Sequence, residues 1–449
     1  MRKDIIARAG EQVPRYTSYP TAPHFHAGID ASTAADWIQA LPATEPVSLY
    51  VHIPYCDRLC WFCACNTKQT LRYGPVQTYL RALHQEIATV GNLLQPGVAV
   101  KALHFGGGSP TMLRPADLVA LAERLRAAFG LEPDAEISVE IDPNDMDDAR
   151  FEALAAIGMS RASIGVQDFD PRVQKAINRE QSFALTKSVV DKARRHGARS
   201  VNLDLLYGLP HQTLESLTAT IGQALSLGPD RVALFGYAHV PWFKKHQTMI
   251  DEAALPDGAG RLAQFQKARA LIEAAGYQAI GFDHFALPGD PLAVAARQGR
   301  LHRNFQGYTE DDCATLIGLG PSSISRLPQG YLQNTPATAQ YERLVAGGKL
   351  ATCRGIAFSQ DDRARSWVIE RLMCDFGFSP RRAEELFGAQ GREIVVEAGQ
   401  IAAEGADAML ERRDGDFVVR PEARPLVRTL AARFDRYLDV GAKRHSAAI

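Results

Sequence analysis

No apolar run in this 449-residue sequence approaches the ~18 residues that a membrane-spanning helix needs, so no segment is expected to insert into a bilayer. The opening residues, Met1 to Gly10, contain no apolar stretch of the kind a secretory signal carries, which predicts a cytoplasmic protein. Neither sign of charge is in excess: the formal net charge is -1, which gives no electrostatic case for nucleic acid or a membrane surface. Internal repeats and low-complexity segments are also missing. Hydrophobic residues make up 46% and charged residues 22%, a balance that excludes a largely disordered chain. The length suits one enlarged barrel with an appendage, or roughly three average domains. Cysteine is the informative exception: there are seven, an odd number. Four of them are crowded together, which suits metal binding in a reducing compartment better than a disulfide framework.

Those four form Cys56-x3-Cys60-x2-Cys63-x-Cys65, directly after Val47 to Ile53, an apolar stretch that reads as a strand. Three thiolates on one short loop can hold three irons of a cubane cluster and leave the fourth iron open to a small molecule. The alternative is a structural zinc knuckle. Such sites usually pair two Cys-x2-4-Cys knuckles, or a knuckle with a His pair, and Cys313, Cys353 and Cys374 stand alone downstream.

Between about residues 45 and 285, β-rich runs alternate with helical patterns, the form taken by repeated βα units around a parallel sheet. Candidate strands are Ser48 to Ile53, Ala102 to Phe105, Glu136 to Ile141, Arg161 to Val166, Ser200 to Leu206, Arg231 to Tyr237 and Gln278 to Phe282. Val76, Tyr79, Leu80, Leu83, Ile87, Val90 and Leu94 recur at helical spacing behind Pro75; Leu118, Leu121, Leu125 and Phe129 make the next such face, ended by Gly130. Six or seven units fall short of the eight of a closed barrel. The expectation is an α/β fold with a partial, open barrel, whose open side would admit a large flat substrate. The alternation is expected to stop near residue 300. From about residue 355 the pattern is mostly helical, with Trp367, Ile369, Leu372 and Met373 on one stretch, a break at Asp375-Phe376-Gly377 and a new helix opened by Ser379-Pro380. The expected organisation is therefore an N-terminal segment 1–44, a barrel 45–300, a connecting segment 301–354 and a helical domain 355–449.

Polar residues at strand ends are the candidate chemistry. Glu140, Gln167 and Asp204 are embedded in apolar runs, where polar groups need partners; an unpaired carboxylate is costly there, so Glu140 and Asp204 are expected to bond a ligand or a basic residue, with a structural salt bridge as the alternative. Gly106-Gly107-Gly108 after the second strand would let backbone groups approach a ligand, although a tight turn is the plain reading. His52 in an apolar run is by default a hydrogen-bonded core residue, and its closeness to Cys56 makes it a candidate proton donor or substrate contact. Cys65 by default is a free buried thiol.

Pro14-Arg-Tyr-Thr-Ser-Tyr-Pro20, Tyr50-Val-His-Ile-Pro-Tyr-Cys56, Cys60-Trp-Phe-Cys-Ala-Cys65, Gly106-Gly-Gly-Ser-Pro-Thr111, Gly165-Val-Gln-Asp-Phe169, Asp204-Leu-Leu-Tyr-Gly-Leu-Pro210, Tyr237-Ala-His239 and His302-Arg-Asn-Phe-Gln-Gly-Tyr308 together resemble the oxygen-independent coproporphyrinogen III oxidases. These are enzymes of the radical S-adenosylmethionine (SAM) superfamily. The cysteine spacing carries the superfamily and the full set carries the family; Ser109 replaces a Thr of the family pattern and keeps its hydroxyl. The resemblance implies a [4Fe-4S] cluster on Cys56, Cys60 and Cys63, and two SAM molecules. Tyr50, Gly107, Glu140 and Ile324 would contact the cluster-bound one; Phe62, Gly108, Ser109, Gln167, Arg179, Asp204 and Ala238 would contact the second. It further implies that Cys65 is needed for activity without binding the cluster. Arg15, in a segment that resembles the family's substrate-associated loop, is the leading candidate to hold a propionate, with His302 and Arg303 behind it.

The implied reaction is oxidative decarboxylation of two propionates of coproporphyrinogen III to vinyl groups, giving protoporphyrinogen IX without oxygen. A 5′-deoxyadenosyl radical would remove hydrogen from the propionate β-carbon. An electron-donor protein would serve a monomeric enzyme. The rival reading is a haem-binding chaperone, because related haem-trafficking proteins share the cluster loop and barrel. Cys65 and the Pro14 to Pro20 segment argue against it. A zinc-stabilised binding protein leaves the strand-end polar residues unexplained.

Overall fold

The computed structural model describes residues 11–404 and 409–438, so Met1 to Gly10, whose composition bore on location, lie outside the described residues. A 12-stranded sheet organises the chain. In chain order its strands are β1 (Val47–Ile53), β2 (Ala99–Gly107), β3 (Gly130–Ile141), β4 (Arg161–Gln167), β5 (Ser200–Tyr207), β6 (Arg231–Gly236), β7 (Gln278–Ile280), β8 (His284–Ala286), β9 (Thr315–Leu319), β10 (Ile324–Leu327), β11 (Gly330–Asn334) and β12 (Thr352–Ala357). Their spatial order is β12-β11-β10-β9-β1-β2-β3-β4-β5-β6-β8-β7, an open sheet rather than a closed barrel. The seven strands from β9 to β6 are parallel, and both margins are antiparallel.

β1 is buried along almost its whole length, as expected of a parallel strand covered on both faces. Helices Tyr73–Leu93, Pro115–Ala128, Asp148–Ala156, Phe183–Arg195, Leu214–Ser226 and Gly258–Ala274 follow successive parallel strands. The expected apolar faces are the buried ones: Val76, Leu80, Leu83 and Ile87 on the first helix and Leu118, Leu121 and Leu125 on the second.

Two expectations need correction. The candidate strand Gln278 to Phe282 is a short antiparallel margin rather than a βα unit, because a bend at Gly281 returns the chain into β8 beside β6. The seventh parallel strand is instead β9, beyond the point near residue 300 where the alternation was expected to end. A hairpin, His302–Asn304 with Gly307–Thr309, rather than a helix precedes β9, so the βα rhythm that would announce it is missing. Segment 301–354 thus extends the sheet as well as connecting. The C-terminal region has helices Gln360–Asp375, Pro380–Phe387, Ala389–Ala402 and Val427–Ala432, plus a three-stranded sheet. The first of these ends where expected, with Phe376 in the left-handed conformation. Ile369, Leu372, Phe417 and Leu430 belong to the same hydrophobic cluster as β1 and β2, so this region packs onto the central core.

Glu86 fastens β9 and β11 to the parallel sheet. From helix Tyr73–Leu93 its carboxylate accepts Gly320 N–H at 2.7 Å, Asn334 Nδ2 at 2.6 Å and Tyr341 O–H at 2.7 Å. Burial raises its carboxyl above the ordinary range. The folded chain then holds this proton more tightly than the unfolded chain, and the group's contribution to stability falls as pH rises from the unfolded value through the folded one. Glu86→Leu leaves three buried donors without an acceptor and should destabilise the protein by about 3–5 kcal/mol in chemical denaturation. Glu86→Gln, with one acceptor retained, should cost less and flatten the pH dependence.

Candidate active site

The cysteine loop leaves the C-terminal end of β1 and is tied down at both ends by a short parallel pairing of Tyr55–Cys56 with Lys68–Gln69. Between them the backbone is held by distant groups. Trp61 N–H donates to Ile177 O (2.9 Å) and Asn178 Nδ2 to Leu59 O (2.9 Å). Lys244 Nζ donates to Cys65 O (2.8 Å), His246 Nε2 to Cys63 O (2.7 Å) and Gln247 Nε2 to Phe62 O (2.9 Å). Gln247 also donates to Ala238 O and accepts Val240 N–H, so one buried amide joins the loop to the segment after β6.

β2 meets this loop from the other side. Gly108 N–H donates to Ile53 O at 2.7 Å and Ser109 N–H to Tyr55 O at 2.8 Å. Gly107 has φ +118° and a Cβ there would lie 2.8 Å from the His52 ring; at Gly108 it would lie 2.6 Å from Thr67 Oγ1. The glycines are therefore required by close approach, and not only by a ligand. Glu140, from β3, accepts Gly107 N–H at 3.0 Å and faces His104 Nε2 at 3.3 Å.

A cavity of about 230 Å³ opens over these strand ends. Eleven expected residues line it: Cys56, Cys60, Phe62, Cys63, Cys65, Gly107, Gly108, Glu140, Gln167, Arg179 and Asp204. Gln167 reaches it through a register shift after Gly165 and a φ of +67°, a conformation uncommon for a side-chain-bearing residue and typical of sites where one is re-aimed. Asp204 accepts Asn202 Nδ2 at 2.8 Å and Ser163 O–H at 3.2 Å, and has no ion pair among the described residues. Burial raises its carboxyl, while the Asn202 amide opposes this. Arg179 donates to Asp142 (2.8 Å), Gly165 O (2.9 Å) and Cys60 Sγ (3.6 Å), yet its buried Nε has no partner.

The other expected residues stand apart from the cavity lining. Tyr50 stacks on His104, with ring centroids 5.7 Å apart, and its O–H donates to His52 Nδ1 at 3.0 Å. That leaves His52 Nε2–H to donate to Asn66 O at 2.8 Å, so both nitrogens are taken, burial lowers the imidazole pKa, and His52 holds the loop. Ser109 gives its hydroxyl to Asp145, which burial has pushed up to about 6. Ala238 offers its carbonyl to Gln247, and Ile324 packs beside Phe25, Tyr331 and Ile356. Arg15 Nη2 donates to Gly236 O at 3.0 Å, at the same end of the sheet. His302 faces Glu370 at 3.3 Å. Sequence reasoning missed Asp142, Ser163, Asn202 and the segment 244–247; a carboxylate two residues beyond Glu140 was a signal for the first, and nothing local marks the others.

The donor set fits a cluster better than a single ion. Cys56, Cys60 and Cys63 face one cavity from a single short loop, three thiols that leave a further coordination position open. Burial pushes the Cys56 thiol up to about 12 and the Cys60 thiol upward, so without a bound cation both stay protonated. The buried Arg179 Nε has no partner, and Asp204 has only the neutral donors Asn202 and Ser163.

The profile of the Radical SAM superfamily matches residues 50–224. Over 442 residues, covering 98% of this chain and 97% of the relative, the sequence is 51% identical to the oxygen-independent coproporphyrinogen III oxidase of Paracoccus denitrificans. Identity to that of Bradyrhizobium diazoefficiens is 46% over 451 residues, the full length of both. The coproporphyrinogen III oxidase of Escherichia coli, described as a radical SAM enzyme, has a solved structure that superposes with a TM-score of 0.90 at 39% identity, covering 95% of this chain and 100% of that one.

The grip of Gln247 on two carbonyls and one N–H predicts a specific failure. Gln247→Leu should fold, with unchanged far-ultraviolet circular dichroism, but lose about 2–4 kcal/mol of stability. Anaerobic reconstitution should then load clearly less iron and sulfide per chain than in the wild type. Full loading would show that the loop holds its shape without this amide.

Proposed function

Because this chain belongs to the oxygen-independent coproporphyrinogen III oxidases of the radical SAM superfamily, we propose that the cavity over the ends of β1 to β5 is the place where the radical is made and used. The chain is an oxidoreductase that carries out anaerobic coproporphyrinogen III oxidation in haem synthesis with a [4Fe-4S] cluster and SAM. The observation that carries the assignment of residues is the meeting of three thiols, Glu140, Arg179 and Asp204 around one cavity. When bound, the cluster and SAM supply reductive cleavage of the sulfonium and hydrogen removal from the propionate β-carbon, after which loss of carbon dioxide and an electron leaves the vinyl group.

The protein's own part is to bind, orient and exclude water. Cys56, Cys60 and Cys63 would hold three irons. Glu140, fixed by Gly107 N–H, would take the ammonium of the first SAM, with Tyr50 and Ile324 alongside. Arg179, with its free Nε, and Asp204, half-buried with neutral partners, would take carboxylate and hydroxyl or ammonium groups of the second. Gln167, Phe62, Gly108, Ser109 and Ala238 would complete that subsite; Ser109 would do so as a brace, since its hydroxyl is on Asp145. Cys65, beside the ligands but held by its carbonyl to Lys244, would act in turnover without binding iron. Arg15 would hold a propionate. The haem-chaperone reading explains neither Cys65 nor the Pro14 to Pro20 segment.

No helix among the described residues is long and apolar enough to cross a membrane. We place the enzyme in the cytoplasm as a monomer served by an electron-donor protein. Anaerobic incubation of reconstituted protein with coproporphyrinogen III, SAM and a reductant, followed by pigment analysis, tests the reading: protoporphyrin is expected, and tightly bound but unconverted pigment would favour the chaperone.

Replacing Cys56, Cys60 or Cys63 by Ala should remove the iron-sulfur absorbance, whereas Cys65→Ser should keep the cluster and lose turnover. Iron and sulfide analysis decides this; a Cys65→Ser protein without iron would refute the three-ligand assignment. Arg15→Ala removes one charge-assisted hydrogen bond and should lower kcat/KM by about 10- to 150-fold with iron content unchanged. Wild-type kinetics would remove Arg15 from the site.

A further inference from the structure

Arginines from four distant parts of the chain converge where β5 and β6 end. Arg15 donates to Gly236 O at 3.0 Å, and Arg261 Nη2 donates to the next carbonyl, Tyr237 O, at 2.9 Å. Space is kept for Arg261: a Cβ at Gly208, just past β5, would lie 2.3 Å from its Nη1, and one at Gly236 would lie 3.1 Å from its Nη2. Arg428 fixes the backbone that carries Arg15, donating to Val13 O at 2.7 Å and Pro14 O at 3.1 Å. Arg303 comes from the hairpin before β9, with its guanidinium 4.4 Å from the centre of the Tyr308 ring.

The Asp283 carboxylate pairs with His284 at 2.7 Å and lies 3.7 Å from Arg303. Arg303 is 8% exposed, yet its Nε and Nη1 have no hydrogen-bond partner. The guanidiniums feel one another: after burial, Arg15 and Arg303 depress the basicity of Arg428. A carboxylate brought here would meet the two open nitrogens of Arg303 and the guanidiniums gathered beside it.

We infer that Arg15, Arg261, Arg303 and Arg428 form one polycarboxylate recess that grips propionates of the tetrapyrrole at the rim of the radical cavity. This rests on the functional reading above and assigns it a substrate subsite. Gly236 is two residues from Ala238, whose carbonyl shares Gln247 with the cysteine loop, so the recess adjoins the cavity. Planar guanidiniums suit carboxylates, which they meet with two parallel hydrogen bonds. A substrate with four propionates, two of which react, leaves others for such a grip.

The test uses the full-length, cluster-reconstituted protein and two probes, coproporphyrin III and its uncharged tetramethyl ester, titrated by fluorescence. Arg261→Gln should weaken binding of the tetra-acid by about 10- to 150-fold and leave binding of the ester unchanged. Arg261→Lys, which keeps the charge but not the planar fork, should fall between. Arg303→Gln should act in the same direction. Equal loss of acid and ester would show a purely structural role and overturn the recess, as would wild-type affinity in both Gln variants. Conversion of coproporphyrinogen III, assayed on the same wild-type preparation, separates the two claims. Conversion with unaltered variants counts against the recess alone, and a wild type that neither converts the porphyrinogen nor prefers the acid counts against both.

Discussion

The site depends on how closely the backbone of Gly106 to Gly108 approaches β1 and the loop beyond it. At Gly107 and Gly108 a single added methyl would collide with His52 or Thr67. With no side chains in the way, β2 runs on past the end of β1 and donates two N–H groups to Ile53 and Tyr55. The cysteine loop therefore begins from a position set by the sheet ladder. Glu140 reaches across from β3 to the N–H of Gly107, so the residue proposed to meet the first SAM is referenced to the same backbone. Nothing in this arrangement asks the ten-residue cysteine cluster to fold by itself; its carbonyls are met by Asn178 on one side and Lys244, His246 and Gln247 on another.

Around that frame the protein gathers polar groups whose partners are few or neutral. Asp204 is half-buried with two neutral donors, the Arg179 Nε is orphaned, and the Cys56 and Cys60 thiols are raised by burial. An orphaned buried nitrogen costs free energy. In the reading proposed above, a ligand that brought a cation to the thiols, a carboxylate to the arginine and a donor to the aspartate would recover such costs on binding.

Much of this was legible because it is local. The cysteine spacing, the glycine run and the polar residues ending apolar strands sit in short segments whose patterns survive without partners. Six parallel strands followed from the βα rhythm. Strand β9 did not: a hairpin precedes it, and its parallel partner β1 lies more than 260 residues earlier in the chain. Gln278 to Phe282 had strand composition, but only Gly281 and the turn it permits decide that the chain doubles back. Segment 244–247 has no periodicity because its work is done by single side chains reaching carbonyls, and the sequence does not say which carbonyls are unmet. His52 is a related case: both its nitrogens are engaged, by Tyr50 and Asn66, and the sequence does not say that these are its partners.

Radical generation and substrate grip are built from different parts of the chain. The strands that carry the cavity are contiguous in sequence from β1 to β5, whereas Arg15 stands on a segment fixed by the far end of the chain. Arg428 holds Val13 and Pro14, Tyr16 O–H donates to Asp435 at 3.0 Å, and Tyr19 O–H accepts Arg436 N–H at 3.1 Å. Tyr16, with φ +47°, turns the chain so that successive side chains serve opposite sides, Arg15 toward Gly236 and Tyr16 toward Asp435. In the proposed reading a macrocycle too large to be enclosed by one strand end is met by segments 13–19 and 428–436, far apart in the chain and joined to each other, beside a sheet that is open at its margins. The consequence is a separation of tasks. In that reading the groups proposed for the cofactors are referenced to the sheet ladder, and the proposed propionate cation Arg15 to a strap that Arg428 secures, so the grip on the substrate could be adjusted without moving the cysteine loop.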